Sequence, residues 1–154
     1  SSLSIRAMLF MVKKWALLNN MEPLILAGRN AHKTFINTAA ILDIKIDWLM
    51  PKAEDSYQSC TITSYDIDSY FEAVDAGAKE RPVAVYITSP DYLGNMLDIS
   101  KIANSCHKNG ALLLVDNAHG AYLKFMNPSM HPIDLGADIV IHSSSKYINL
   151  EEIL

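Results

Sequence analysis

"LLLVDNAHGAY", residues 112–122, decides how the rest of the chain is read. Leu112 to Val115 are four aliphatic residues with no polar alternation, so they predict a strand covered on both faces, as in a parallel sheet. The segment before it, "DISKIANSCHKNG" (98–110), sets Ile99, Ile102, Ala103 and Cys106 at i, i+3, i+4 and i+7 and closes on Gly110, which predicts a helix with a glycine stop. A helix feeding a doubly covered strand is half of a βαβ unit. The strand then stops at Asp116, with His119 three residues on, and a core strand that ends in an acid and an imidazole asks for a chemical reason.

Working outward, the same alternation continues. "VAVYIT" (83–88) is a β-branched, apolar strand, preceded by "SYDIDSYFEAVDAG" (64–77), a helix expected to start on Ser64 as its cap and to stop at Gly77. "PKAEDSYQSCTIT" (51–63) is polar and without period, hence a surface loop. "KIDWLM" (45–50) and "LILAG" (24–28) read as strands. Between them "HKTFINTAAILD" (32–43) reads as a helix whose inner side carries Phe35, Ile36, Ala39 and Ala40. From Ser4 to Asn19, the residues Ile5, Met8, Leu9, Val12 and Ala16 recur at helical spacing, and "DIVIHS" (138–143) supplies a last strand. The expected class is α/β: a three-layer αβα sandwich with a mostly parallel sheet of about five strands and right-handed crossovers, in one domain over residues 1–154.

Composition narrows the function. Half of the 154 residues are hydrophobic and the formal net charge is -4, which favours a globular core and gives no electrostatic reason to expect nucleic acid. Arg6, Lys13 and Lys14 interrupt the apolar start, so it does not predict a membrane span, nor does it open like a signal peptide. The two cysteines, Cys60 and Cys106, lack metal-ligand spacing. Cys106 is expected as a buried free thiol, which suits a reducing cytoplasm. No metal site is expected. A dinucleotide site is disfavoured because no GxGxxG follows the first strand.

In open parallel sheets, ligands bind outside the carboxyl ends of the strands. That rim would collect Arg29, Asn30 and His32 after the first strand, Thr88, Ser89 and Tyr92 after the third, Asp116 and His119 after the fourth, and Ser143, Ser144, Ser145 and Lys146 after the fifth. Ser1 and Ser2 open a helix, whose free N–H groups suit phosphate. A strand-end Asp116 needs a cationic partner to stay ionised, and burial of Lys146 would favour a neutral, nucleophilic amine. A phosphate, a ring nitrogen to keep protonated and an amine to join to an aldehyde are the requirements of pyridoxal phosphate. The remaining polar residues have plainer expected roles: His107 and His131 as surface groups, Arg29 as a partner of Asp43 or another acid, Tyr92 and Gly94 as turn formers.

The stretches "RNAHKTFINTAAI" (29–41), "YITSPDYLGNMLDISKIANSCHKNGALLLVDNAHGAYL" (86–123) and "GADIVIHSSSK" (136–146) resemble the major domain of the bacterial ornithine/lysine/arginine decarboxylases, fold type I pyridoxal-phosphate enzymes. The resemblance implies decarboxylation of a basic amino acid, with Lys146 joined to the cofactor aldehyde and Asp116 on the ring nitrogen. It further implies His32 stacked on one ring face, Ala118 packed on the other, and His119 near the ring hydroxyl and the lysine link. Ser1, Ser2, Ser143 and Ser145 would meet the phosphate region, with Ser145 standing where the family has histidine. A homodimer is implied, and the chain is expected to be a partial major domain without the family's small C-terminal domain. Two other readings stand beside it: a non-catalytic interaction module of the same fold, and other fold type I chemistry such as transamination or β-elimination.

Overall fold

A computed structural model describes residues 2–143. In chain order it contains α1 (Ser2–Leu18), β1 (Leu24–Gly28), α2 (Lys33–Ile41), β2 (Lys45–Leu49), α3 (Ser64–Asp75), β3 (Ala84–Thr88), α4 (Ile99–Lys108), β4 (Leu112–Asp116) and β5 (Ile139–Ile141), with a 3-10 turn at Ala121–Phe125. The sheet order is β2-β1-β3-β4-β5, and every pairing is parallel. The chain steps outward from β1 to β2 and then returns to place β3 on the other side of β1. The switch point, at which such sheets hold ligands, therefore lies between the carboxyl ends of β1 and β3.

Each sheet face has its own core. Leu26, Val85, Ile87, Leu113 and Val115 pack with Ile67 and Phe71 of α3 and Ile102 and Cys106 of α4. The other face sets Ile25, Ala27, Ala84, Tyr86, Leu114 and Ile141 against Ile5, Met8, Leu9 and Val12 of α1 and Phe35 and Ala39 of α2. All five α1 residues chosen from helical spacing are buried, and Gly77 and Gly110 close their helices at φ 75 and 74, the left-handed region that suits glycine.

Several expectations need correction. The buried side of α2 is Thr34, Phe35, Thr38 and Ala39, while Ile36 and Ala40 are exposed, because the stripe includes two small threonines, of which Thr34 meets Ser2 of α1. The cap of α3 is Thr63 rather than Ser64: the Thr63 backbone N–H donates to the Asp66 carboxylate at 2.7 Å, and the Asp66 N–H donates back to Thr63 Oγ1 at 3.4 Å. Residues 51–63 form no helix or strand, yet Ser59, Cys60 and Ile62 are buried, the last two inside the α3/α4 core. Arg29 lies over the Trp48 ring, 5.0 Å from its centroid, rather than against Asp43. His107 does sit at the surface, bonded to Asp138 at 2.9 Å, but His131 is buried. Cys106 is fully buried and free, its thiol pushed up to about 12 by desolvation and by the charges of Asp138 and Asp68. No helix among the described residues is long and apolar enough to cross a membrane.

Candidate functional site

Asp116 is the last residue of β4, in register with Thr88 of β3 and Ile141 of β5. Strand alternation turns its side chain to the same face as Leu114, toward α1 and α2. The carboxylate is 4% exposed; Oδ2 accepts from the Tyr86 hydroxyl at 2.9 Å and Oδ1 from the Ala118 backbone N–H at 3.2 Å. Both donors are neutral, and no lysine or arginine among the described residues pairs with it. Burial, and next the Asp116 charge, push the Tyr86 phenol well above its ordinary value, so it remains the donor.

Tyr86 links this acid to α2. Its ring stacks on Phe35 with centroids 4.1 Å apart. One turn earlier, His32 caps α2: its Nδ1 accepts from the Thr34 N–H at 3.1 Å, which leaves Nε2 to carry the proton of a neutral ring. Thr34 Oγ1 in turn lies 3.2 Å from Ser2 Oγ at the start of α1. Two helix N-termini therefore abut beside the rim, and neither has an acid in its first turn, whereas α3 carries Asp66 there. Among the described residues no acid in either first turn offsets their partial positive ends, a setting for an anion.

The far side of the rim is the 117–120 turn. The Asn117 N–H donates to Ile141 O at 2.9 Å and the Gly120 N–H to Asn117 O at 3.1 Å, pinning the turn to β5. A Cβ on Gly120 would fall 2.1 Å from Asn117 Oδ1 and 2.6 Å from Pro90 Cδ, so the turn closes this tightly only with glycine. Ala118 rides on it, and the His119 ring meets Tyr92 edge-on at 5.7 Å. Tyr92 belongs to the expected turn, closed by the Gly94 N–H to Asp91 O. Ser143 is 1% exposed past β5. Ser1, Ser144, Ser145 and Lys146 lie outside the described residues.

His32, Ser2, Asp116 and Ala118 are thus tied into one connected set through Thr34, Phe35 and Tyr86. Among the described residues Thr88 Oγ1, in register with Asp116, is buried without a hydrogen-bond partner, as are both side-chain polar atoms of Asn117. A buried carboxylate, an orphaned hydroxyl next to it and two uncompensated helix N-termini fit a flat ligand with a cationic ring nitrogen at one end and a phosphate at the other.

Sequence reading missed Tyr86 and Thr34. Their only signal was a tyrosine inside an aliphatic strand and a threonine one turn from a histidine. It also missed an imidazole pair. His131 Nδ1 accepts from the Ile133 N–H at 3.2 Å, so its Nε2–H faces His142 Nε2 at 3.0 Å. Desolvation, then the neighbouring His142, lower the His131 pKa, and His142 Nδ1 is buried without a partner.

Comparison with known proteins gives a consistent picture. The model of the family described as Cys/Met metabolism PLP-dependent enzyme matches residues 52–151. The protein YaaO of Bacillus subtilis is 29% identical over 123 residues, 79% of this chain and 25% of that protein. Cystathionine gamma-synthase of Escherichia coli is 38% identical over 80 residues, 51% of this chain and 19% of the enzyme. Among solved structures, mouse CSAD in its apo form superposes with a TM-score of 0.66 at 20% identity, covering 92% of this chain and 31% of CSAD, a likeness of fold. The chain spans about a quarter or less of the length of these curated relatives.

Proposed function

Because this chain belongs to the Cys/Met metabolism PLP-dependent enzyme family, we propose that it is the cofactor-binding part of a pyridoxal-phosphate enzyme acting on an α-amino acid, with its site at the Asp116 rim. The observation that carries the placement is the Asp116 carboxylate: 4% exposed, at a strand end, and held by neutral donors. In this reading Asp116 holds a proton on the ring nitrogen. Ser2 and the α1 N-terminus, with Ser1, Ser143 and Ser145, take the phosphate. His32 covers one ring face and Ala118, with only a methyl group, admits close approach on the other. His119 stands near the ring hydroxyl, and Lys146 supplies the amine that anchors the cofactor. When bound, pyridoxal phosphate supplies a sink for the electrons of a bond broken at the substrate α-carbon. The residues of the chain position that bond, exclude water and fix the charge.

For the reaction itself, elimination or replacement in the side chain of a sulfur-containing amino acid is favoured by the family and by the cystathionine gamma-synthase likeness. Decarboxylation of lysine, ornithine or arginine is the second reading, supported by the stretches around His32 and His119, which resemble the basic amino acid decarboxylases. A homodimer of the whole protein belongs to either reading.

The first test is spectroscopic. Purified chain mixed with pyridoxal phosphate is expected to show a visible absorption band that borohydride removes, leaving the label on the peptide bearing Lys146. A band that survives unchanged in Lys146→Ala, or labelling elsewhere, overturns the assignment. Incubation with cystathionine or with each basic amino acid then separates the readings: thiol and keto acid from the former, carbon dioxide and amine from the latter.

A further inference from the structure

Asp116 has two carboxylate oxygens, and the chain gives each one donor: Tyr86 to Oδ2 and the Ala118 N–H to Oδ1. A carboxylate offers about four acceptor positions, so room remains for a further donor on each oxygen. The Ala118 bond belongs to the turn that follows the strand. The Tyr86 bond comes from the neighbouring strand, two residues before its end, and that makes it a separate device.

Tyr86 is unusually well fixed for a hydroxyl donor. It is fully buried, and its backbone is clamped in register between Ala27 of β1 and Leu114 of β4. The Phe35 ring stacks on it at an interplanar angle of 29°. Its hydroxyl cannot swing to water and has no other partner among the described residues, so the bond stops the carboxylate from rotating about its own axis. Keeping a buried carboxylate charged in one orientation requires such donors, because desolvation penalises the charge.

We propose that Tyr86 is a positioning residue that orients the Asp116 carboxylate toward the ring nitrogen of the cofactor, so that the chain holds a pyridine ring more tightly than the same ring without its nitrogen. The proposal rests on the reading of Asp116 given above. Tyr86 touches neither ring nor substrate; it acts through the acid. Phe35, stacked on the Tyr86 ring, extends the same support into α2.

The test compares pyridoxal phosphate with its 1-deaza analogue, in which carbon replaces the ring nitrogen, by titration into wild-type chain and into Tyr86→Phe, which keeps the ring and its stacking. Wild type is expected to prefer pyridoxal phosphate. Tyr86→Phe is expected to weaken pyridoxal phosphate about tenfold, the range of a hydrogen bond to a charged group, while changing the deaza analogue less than about twofold. In an Asp116→Asn background the tyrosine substitution should have no further effect on either ligand, as a shared pathway requires. Equal weakening of both ligands would mean that Tyr86 only fills space, and no weakening of either would remove it from the site; both overturn the proposal while leaving cofactor binding intact. Failure of wild type to bind either compound overturns the cofactor reading as well. Alkaline titration of tyrosine absorbance reports on the bond without any ligand: one phenol should ionise at lower pH in Asp116→Asn than in wild type, and an unchanged curve counts against the bond.

Discussion

Residues 112–116 of β4 alternate between two environments. Leu113 and Val115 face α3 and α4, in a core with Phe71, Ile102 and Cys106 in which no side chain of the strand needs a hydrogen bond. Leu112, Leu114 and Asp116 face α1 and α2, and there the apolar packing gives way, within one residue step, to the Tyr86–Asp116 pair and the capped start of α2. The first face is closed and answers only to volume. The second is incomplete at the rim among the described residues, with the Thr88 hydroxyl unpartnered and two helix N-termini without acids in their first turns. If the proposed site is right, stability and ligand binding fall on opposite sides of one sheet, and perturbations should separate them.

The largest expected effect is on the closed face. Phe71→Ala removes a ring that is 1% exposed and should cost about 3–5 kcal/mol in chemical denaturation, enough to bring a small domain close to unfolding. The folded fraction should still bind pyridoxal phosphate with wild-type affinity; a loss of intrinsic affinity would mean the two faces are coupled. On the rim, Gly120→Ala drives a methyl group into the fully buried Asn117 side chain and into Pro90, and should cost about 1–3 kcal/mol while weakening the cofactor at least as clearly as it lowers the melting point. Unchanged affinity would detach the 117–120 turn from the site.

The smallest effect tests His131, beside the end of β5. Burial and His142 lower its pKa in the folded chain, and unfolding restores the ordinary value of about 6.5. The unfolded chain therefore binds more protons as pH falls through 6.5, so the stability held by the neutral ring is complete above that pH and is lost progressively below it. Wild type should lose more stability between pH 7.5 and 5.5 than His131→Gln, by less than about 1 kcal/mol, read from melting curves at fixed ionic strength. Equal slopes would place the acid sensitivity elsewhere.

The strand and helix sequence was legible because its signals are local: apolar runs of four or five residues, glycines past the helix ends, and the 3.6 period of α1. Legibility failed where the answer lay on another element. Ile36 and Ala40 look inward by hydropathy, but α2 buries Thr34 and Thr38 and meets Ser2 of α1 through Thr34, and only the helix pairing says so. His131 looks like a loop histidine until β5 brings His142 to 3.0 Å. Asp116, His32 and Ser2 could be placed at the rim from the strand-end rule, yet Tyr86 could not be told from an ordinary core tyrosine.

By itself, then, the order of residues determined a parallel α/β sheet, which strand ends carry polar groups, and through its motifs the kind of cofactor, since each depends on neighbours a few positions apart. Tertiary structure alone decided that the Asp116 carboxylate accepts from a phenol 30 residues earlier, and that two helix N-termini meet at Ser2 and Thr34. The reason is that hydrogen-bond partners and field directions depend on distance in space, and only the folded sheet sets those distances.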